Sequence, residues 1–252
     1  MASQLPLHTL HERLGARFGE RSGHAVVAHY GDPSAEYRAI REGAAVLDRS
    51  LRGKLKITGS ERETYLQGMV TNDVVKPPVG AGAYATMVNV KGRMVADVRV
   101  LKRQDELLLD LEPGRAEPAS EFLNKYLISE DAEIHDVTGE VAVLSFFGPD
   151  AVARLSALLG GPLPGLEENQ FVERPLPSGT ALVVGTRLVG TPGYDVLLPV
   201  SGAAAFVEQA LAAGVRPAGV EAFDIARVEA GVPQFGVDMT EETIPLEANL
   251  ER

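Results

Sequence analysis

Apolar and polar positions change their period several times along this chain. Residues 1–52 read as mostly helical, with RAIREGAAVL at helical spacing behind the start signal Asp32-Pro33-Ser34. From Gly53 the spacing switches. LKITG reads as a strand, SERETYLQGMV as a helix, and ATMVNV and RMVADVRVL as two strands around a Lys91-Gly92 turn. ELLLDLEP adds a strand, residues 117–126 a helix and AEIHDV another strand. A similar order then returns. EVAVLSFFG is a strand, DAVARLSALL a helix, TALVVGTRL and YDVLLPV a second hairpin, and SGAAAFVEQALAAG a helix. The step from Gly59 to Pro113 nearly equals that from Gly148 to Pro199, as expected for two copies of one unit. The same order is also common in unrelated α+β proteins. The expected division is 1–138 and 139–252. Gly160–Glu168 reads as a surface loop. Residues 222–230 form a further helix, stopped by Gly231 and Pro233. A short extended Gln-Phe-Gly, an acidic turn at 238–242 and a new helix start at Pro245 follow, with Glu247 near the positive end of that helix.

Composition narrows the function classes. A chain of 252 residues with 45% hydrophobic and 23% charged residues has the make-up of a globular protein. No apolar run approaches the roughly 18 residues that span a bilayer, and MASQLPLHTL lacks the features of a signal peptide. No membrane association and a cytoplasmic location are expected. The net charge of −11 opposes a general nucleic-acid surface. Cysteine is absent, so no thiolate nucleophile or disulfide is available. His8, His11, His24, His29 and His135 form no zinc framework, and neither G-x-S-x-G nor a P-loop occurs.

Several strings, in order, resemble one family. YRAIREGAAVLDRS, the Thr71-Asn72-Asp73 triplet, GAYATMVNVKGRMVADVRV, LLLDLEPGRAE and RVEAGVPQFG…PLEA are similar to the folate-binding domain shared by glycine-cleavage T-proteins (aminomethyltransferases) and YgfZ-type proteins. The likeness runs from about residue 5 to 252. It implies an α+β fold of two similar αβ units with antiparallel sheets, the C-terminal barrel domain being absent. In both branches the family pattern continues past Arg252, and the helix begun at Pro245 is expected to lack an end or cap.

Site residues are carried over position by position. Asp97 matches the second residue of an aspartate pair that holds a catalytic aspartate in T-proteins, where a carboxylate near folate N5 assists proton transfer. On pattern alone its strand places Met94, Ala96, Val98 and Val100 on one face and Arg93, Val95, Asp97 and Arg99 on the other, which also reads as a solvated charged face. The family's G-G-x-x-D-D here reads Gly92-Arg93-Met94-Val95-Ala96-Asp97, the form of the YgfZ branch. Thr191 stands where T-proteins carry a pterin-pairing glutamate, followed by Tyr194 and Asp195; a Pro-Gly turn explains these residues equally well. Glu112 stands where T-proteins usually have asparagine, either lining the pocket or as an exposed acid before Pro113. Tyr84, Met87 and Asn89 are binding candidates or plain strand packing. Arg227 is placed to meet a folate carboxylate or an internal acid, beside the stripe Ala222, Ala226 and Ala230.

The resemblance implies a tetrahydrofolate-binding protein of the YgfZ type, supporting iron–sulfur proteins or their assembly machinery. The alternatives are a folate-dependent aminomethyltransferase and a ligand-free structural remnant. Ala96 and Thr191 weigh against aminomethyl transfer; Asp97 keeps it open. No metal site is expected.

Overall fold

Glycines and buried apolar runs, more than helical spacing, set the element boundaries in the computed structural model, which describes residues 5–250. The chain order is α1 (His8–Arg13), β1 (Arg17–Arg21), β2 (His24–His29), α2 (Pro33–Glu42), β3 (Ala45–Asp48), β4 (Gly53–Thr58), α3 (Arg62–Gln67), β5 (Ala81–Val88), β6 (Met94–Lys102), β7 (Leu107–Leu111), α4 (Ala116–Tyr126) and β8 (Glu133–Asp136). It continues with β9 (Val141–Phe147), α5 (Ala151–Leu158), β10 (Phe171–Leu176), β11 (Gly179–Thr186), β12 (Gly193–Pro199), α6 (Val200–Ala212), β13 (Arg216–Ala218), α7 (Val220–Glu229) and a short 3-10 turn, Pro245–Ala248. Among the described residues no helix is long and apolar enough to cross a membrane.

The doubling expected from the sequence is realised in the topology. β4-α3-β5-β6-β7-α4-β8 and β9-α5-β10-β11-β12-α6-β13 have the same element order. The first sheet is ordered β5-β6-β7-β4-β8 and the second β10-β11-β12-β9-β3-β13. Each is a three-stranded meander whose last strand lies beside the first strand of its own copy. They differ at one place: β3 is inserted between β9 and β13, antiparallel to the one and parallel to the other.

That insertion, together with the contacts of the segment after α7 with β6, decides how the chain divides. The described residues up to Leu51 group with Gly139–Val232 as a first unit, and Arg52–Thr138 groups with the described residues from Pro233 onward as a second. The grouping does not follow the linear division at 138/139, because β3 hydrogen-bonds to β9 and the hairpin and helices around it follow.

In the first unit, the expected helix over RAIREGAAVL stops early. Asp32 caps α2 by accepting from the Ser34 and Ala35 amides at 3.0 and 3.2 Å. The helix ends at Glu42, and Gly43 turns the chain. Ala45, Val46 and Leu47 are all buried, Val46 in one apolar cluster and Ala45 and Leu47 in another. Alternation between two covered faces makes a strand the better solution for this run. The expected helical N-terminus also contains the β1–β2 hairpin, whose Ser22-Gly23 turn has φ of 50° and 79°. Mostly polar outward residues on β1 hid that strand from periodicity. His11 ties these pieces together, with Nε2 2.8 Å from Asp48 and Nδ1 2.8 Å from the Tyr30 hydroxyl.

The first unit's sheet is covered on both faces. Phe146 turns toward α5 and α6, edge-on to Phe206, and Phe147 toward α2 and α7, stacked on Phe223. The second unit buries one face of its sheet under α3 and α4, with Leu55, Ile57, Val98, Val100, Leu109 and Leu111 in the core. Its other face carries charge. Beyond α7, the helix start at Pro245 yields only a 3-10 turn, with Glu247 accepting from the Ile244 amide and Asn249 closing it in the left-handed region. This end is therefore capped, contrary to expectation. Residues 251 and 252 lie outside the described residues.

The two-sided packing gives a test. Phe146→Ala empties a fully buried ring site and is expected to lower stability by about 3–5 kcal/mol in urea denaturation.

Candidate functional site

Strand alternation builds the candidate site in the second unit. Around Leu55, Val98, Val100, Leu109 and Leu111, which face the core, the intervening residues are Arg52, Lys54, Asp97, Arg99, Asp110 and Glu112. All six are buried. The solvated face expected for β6 is therefore a buried charged layer, and Glu112 is no exposed acid.

Register arranges the layer in rows. Tyr84 lies opposite Arg99, Arg99 opposite Asp110, and Asp110 opposite Lys54. In the next row Thr86 lies opposite Asp97. Continuing the Val98–Leu111 and Gly53–Leu111 pairs by one residue sets Asp97 beside Glu112 and Glu112 beside Arg52. The first row alternates in sign. The second has two acids side by side.

Hydrogen bonds knit the rows. Arg52 Nε donates to Asp110 Oδ1 at 2.6 Å and its Nη1 to Glu112 Oε1. Arg99 Nη2 donates to Asp110 Oδ2 at 2.7 Å. Gln234 Nε2, from the segment after α7, donates to Glu112 Oε2 at 2.8 Å. Tyr84 donates its hydroxyl to Asp97 Oδ2 at 3.0 Å. Among the described residues, Asp97 Oδ1 is buried with no hydrogen-bond partner. Burial, and then the negative charge of Glu112, push the Asp97 carboxyl up to about 6, against the pull of Arg52 and of the Tyr84 hydroxyl. Burial and the neighbouring Asp97 also raise the Tyr84 phenol.

The Thr71-Asn72-Asp73 triplet steadies this arrangement. Thr71 Oγ1 meets the Thr86 hydroxyl at 2.9 Å and accepts from its amide at 3.0 Å, and Asn72 donates to the Tyr84 carbonyl at 2.9 Å. Asp73 accepts from the Val75 and Lys76 amides. The segment after α7 adds a small apolar cluster of Met94, Phe235 and Met239, with the Arg115 guanidinium 5.2 Å from the Phe235 ring centre.

The residues singled out from sequence separate into different settings. Tyr84, Asp97 and Glu112 come together in the charged layer. Met87, fully buried, packs in the core on the other face of β5. Asn89 shapes the hairpin turn by accepting from the Lys91 and Arg93 amides. Thr191, Tyr194 and Arg227 belong to the first unit. Thr191 is exposed in the bend between β11 and β12, and Tyr194 packs in the core opposite Phe146. Arg227 pairs with an internal acid, Asp224, at 2.8 Å and donates to the Val232 carbonyl at 3.0 Å. Asp195 is buried and accepts from the Ser145 hydroxyl at 2.6 Å.

Sequence reasoning missed Arg52, Lys54, Asp110 and Gln234. A signal existed for the first three. Charges two residues apart, in Arg52-Gly-Lys54 and Asp110-Leu-Glu112, mark one strand face as polar, as Asp97-Val-Arg99 does. Gln234 had none, since its partner is 122 residues away in sequence.

Two outcomes test this electrostatic account. Arg52→Met removes a cation shared by two buried carboxylates, Asp110 and Glu112, and is expected to cost about 3–5 kcal/mol, read by urea denaturation. Asp97 binds its proton more tightly folded than unfolded, so its contribution to stability falls as pH rises from about 4 to about 6. Asp97→Asn is therefore expected to stabilise the protein at pH 8, by on the order of 1–3 kcal/mol, and to change little at pH 4. Equal effects at both pH values would refute the assignment.

Comparison with known proteins places this architecture. The family described as the GCVT N-terminal domain matches residues 7–252. An aminomethyltransferase of Rubrobacter xylanophilus is 32% identical over 97% of this chain and 66% of its own length. One from Alcanivorax borkumensis is 30% identical over 99% of this chain and 69% of its own. The crystal structure of glycine cleavage system aminomethyltransferase T from Bartonella henselae superposes with a TM-score of 0.91 at 25% identity, over 99% of this chain and 68% of that one. The chain thus spans about two thirds of the length of these relatives. With a doubled topology and a match through nearly all of its length, the chain belongs to the aminomethyltransferase (T-protein) family, as its GCVT N-terminal domain.

Proposed function

We propose that this chain binds a reduced folate against the charged layer of the second unit and serves a glycine-cleavage type of aminomethyl transfer. The observation that carries the reading is Asp97 Oδ1, a buried carboxyl oxygen with no hydrogen-bond partner among the described residues, on a group that burial and Glu112 push up to about 6. Such an atom fits a ligand nitrogen, and a carboxyl so poised suits general acid–base work. Bound tetrahydrofolate would supply the nitrogen that accepts a one-carbon unit. Asp97 would hold or take the proton at Oδ1, and Tyr84 would fix the carboxyl through Oδ2. Buried surroundings would keep water from competing for that proton.

The relatives favour this over the iron–sulfur reading, since those described are aminomethyltransferases. The string Gly92-Arg93…Ala96-Asp97 is what remains of the YgfZ likeness. Arg93, in place of the family's second glycine, forms an ion pair with Glu242. Ala96 is buried and apolar, so a single carboxylate on this strand is left for the chemistry.

Calorimetric titration with tetrahydrofolate tests the proposal. Binding in the micromolar range, about 8 kcal/mol, is expected, weakened tenfold or more by Asp97→Asn. A coupled assay with an aminomethylated lipoyl carrier protein should show methylene-tetrahydrofolate formation that Asp97→Asn abolishes. No heat at millimolar tetrahydrofolate would reject the folate site. Binding without transfer would reject the enzymatic part.

A further inference from the structure

The second row of the charged layer has an unusual feature: two carboxylates are cross-strand neighbours in a buried site. Like charges so placed cannot both ionise freely. The structure treats them differently. Glu112 has N–H donors on both oxygens, Arg52 on Oε1 and Gln234 on Oε2. Asp97 has the Tyr84 hydroxyl on Oδ2, and its Oδ1 is unpartnered. Donated N–H groups favour the ionised form, and Arg52 adds its charge.

Other titratable and charged groups share this face from every strand around Asp97. β5 contributes Tyr84, β6 contributes Arg99, β7 contributes Asp110, and β4 contributes Lys54. Arg99 and Arg52 both bond Asp110, so that acid is matched. Farther along, Arg93 and Arg115 engage Glu242 and Glu241. The unmatched acid is Asp97.

We propose that Glu112 is a positioning residue for Asp97: clamped as a carboxylate by Arg52 and Gln234, it confines the exchangeable proton of the pair to Asp97 Oδ1, where a ligand nitrogen meets it. The step is a proton transfer. The Asp97 O–H bond breaks and an N–H bond forms on the ligand, leaving a carboxylate and a cationic nitrogen, and the reverse restores both. The ligand class is a neutral amine or ring nitrogen that takes this proton, as in a reduced pterin; the pterin rests on the folate reading above. The upward displacement of Asp97, driven by burial and by Glu112, agrees with this division of labour.

The test separates this role from the folate reading by needing no ligand. Carboxyl carbon NMR of the chain, with Asp97 assigned through Asp97→Asn, follows its titration directly. The wild-type midpoint is expected near 6, and Glu112→Gln is expected to lower it by one pH unit or more. Gln234→Leu, which leaves the Arg52 clamp in place, should lower it less and serves if Glu112→Gln does not fold. An ordinary aspartate midpoint in the wild type, or no shift in a folded variant, overturns the proposal. Tetrahydrofolate affinity measured against pH gives the second readout. Its inflection should move with the Asp97 midpoint in Glu112→Gln, and an inflection that stays put overturns the role of Glu112. If tetrahydrofolate does not bind while the midpoint shifts as expected, the tuning by Glu112 stands and the folate reading fails.

Discussion

Arg52 is the hinge of the second unit's chemistry. One guanidinium reaches two carboxylates, Asp110 and Glu112, two residues apart on the same face of one strand edge. All three side chains are buried, so each charge depends on the others for what water would otherwise supply. The planar fork of arginine suits this task. Nε and Nη1 point to different acids at once, which a lysine ammonium on a flexible stem would not reproduce. Charge balance then passes along the rows to Arg99 and Lys54 on one side and to Asp97 on the other.

Such a layer gives little net stability compared with an apolar core of the same volume. Its other face shows the contrast, since Leu55, Val98, Leu109 and Leu111 pack there with no polar obligations. What a buried charged layer provides is a set of fixed dipoles and charges that need no rearrangement when a ligand's charge changes. Among the described residues, Asp97 is the acid of the layer with a buried oxygen that accepts no hydrogen bond. The segment after α7 contributes to the same balance through Gln234, while Phe235 and Met239 seat it on Met94.

The two copies of the strand–helix–meander–helix–strand order use their sheets differently. In the first unit β3 fills the position between β9 and β13, and helices cover both faces, so aromatic side chains alternate between two apolar layers. In the second unit helices cover one face and the other is polar. One topology thus carries two apolar faces in one unit and a buried charged face in the other, through the inserted β3, the covering helices and the identity of alternate residues.

Much of this was legible along the chain. Local apolar periods, turn glycines and the Asp32 cap are properties of a few neighbouring residues, and they marked most of β4 to β8 and β9 to α6 together with the repeat. The family resemblance, and not the alternation, marked Asp97, Glu112 and Tyr84 as site candidates; alternation by itself read the Asp97 face as solvated. Other features were decided by tertiary structure. AAVL became strand β3 because β9 and β13 cover its edges, which no local period records. Met87 and Tyr194 went to the core because the faces they point to are apolar. The bond from Gln234 to Glu112, and the burial of the charged strand face, depend on residues far apart in sequence meeting in three dimensions. Periodicity reports which side a residue takes; only packing decides whether that side is wet or dry, and the raised carboxyl of Asp97 follows first from its being dry.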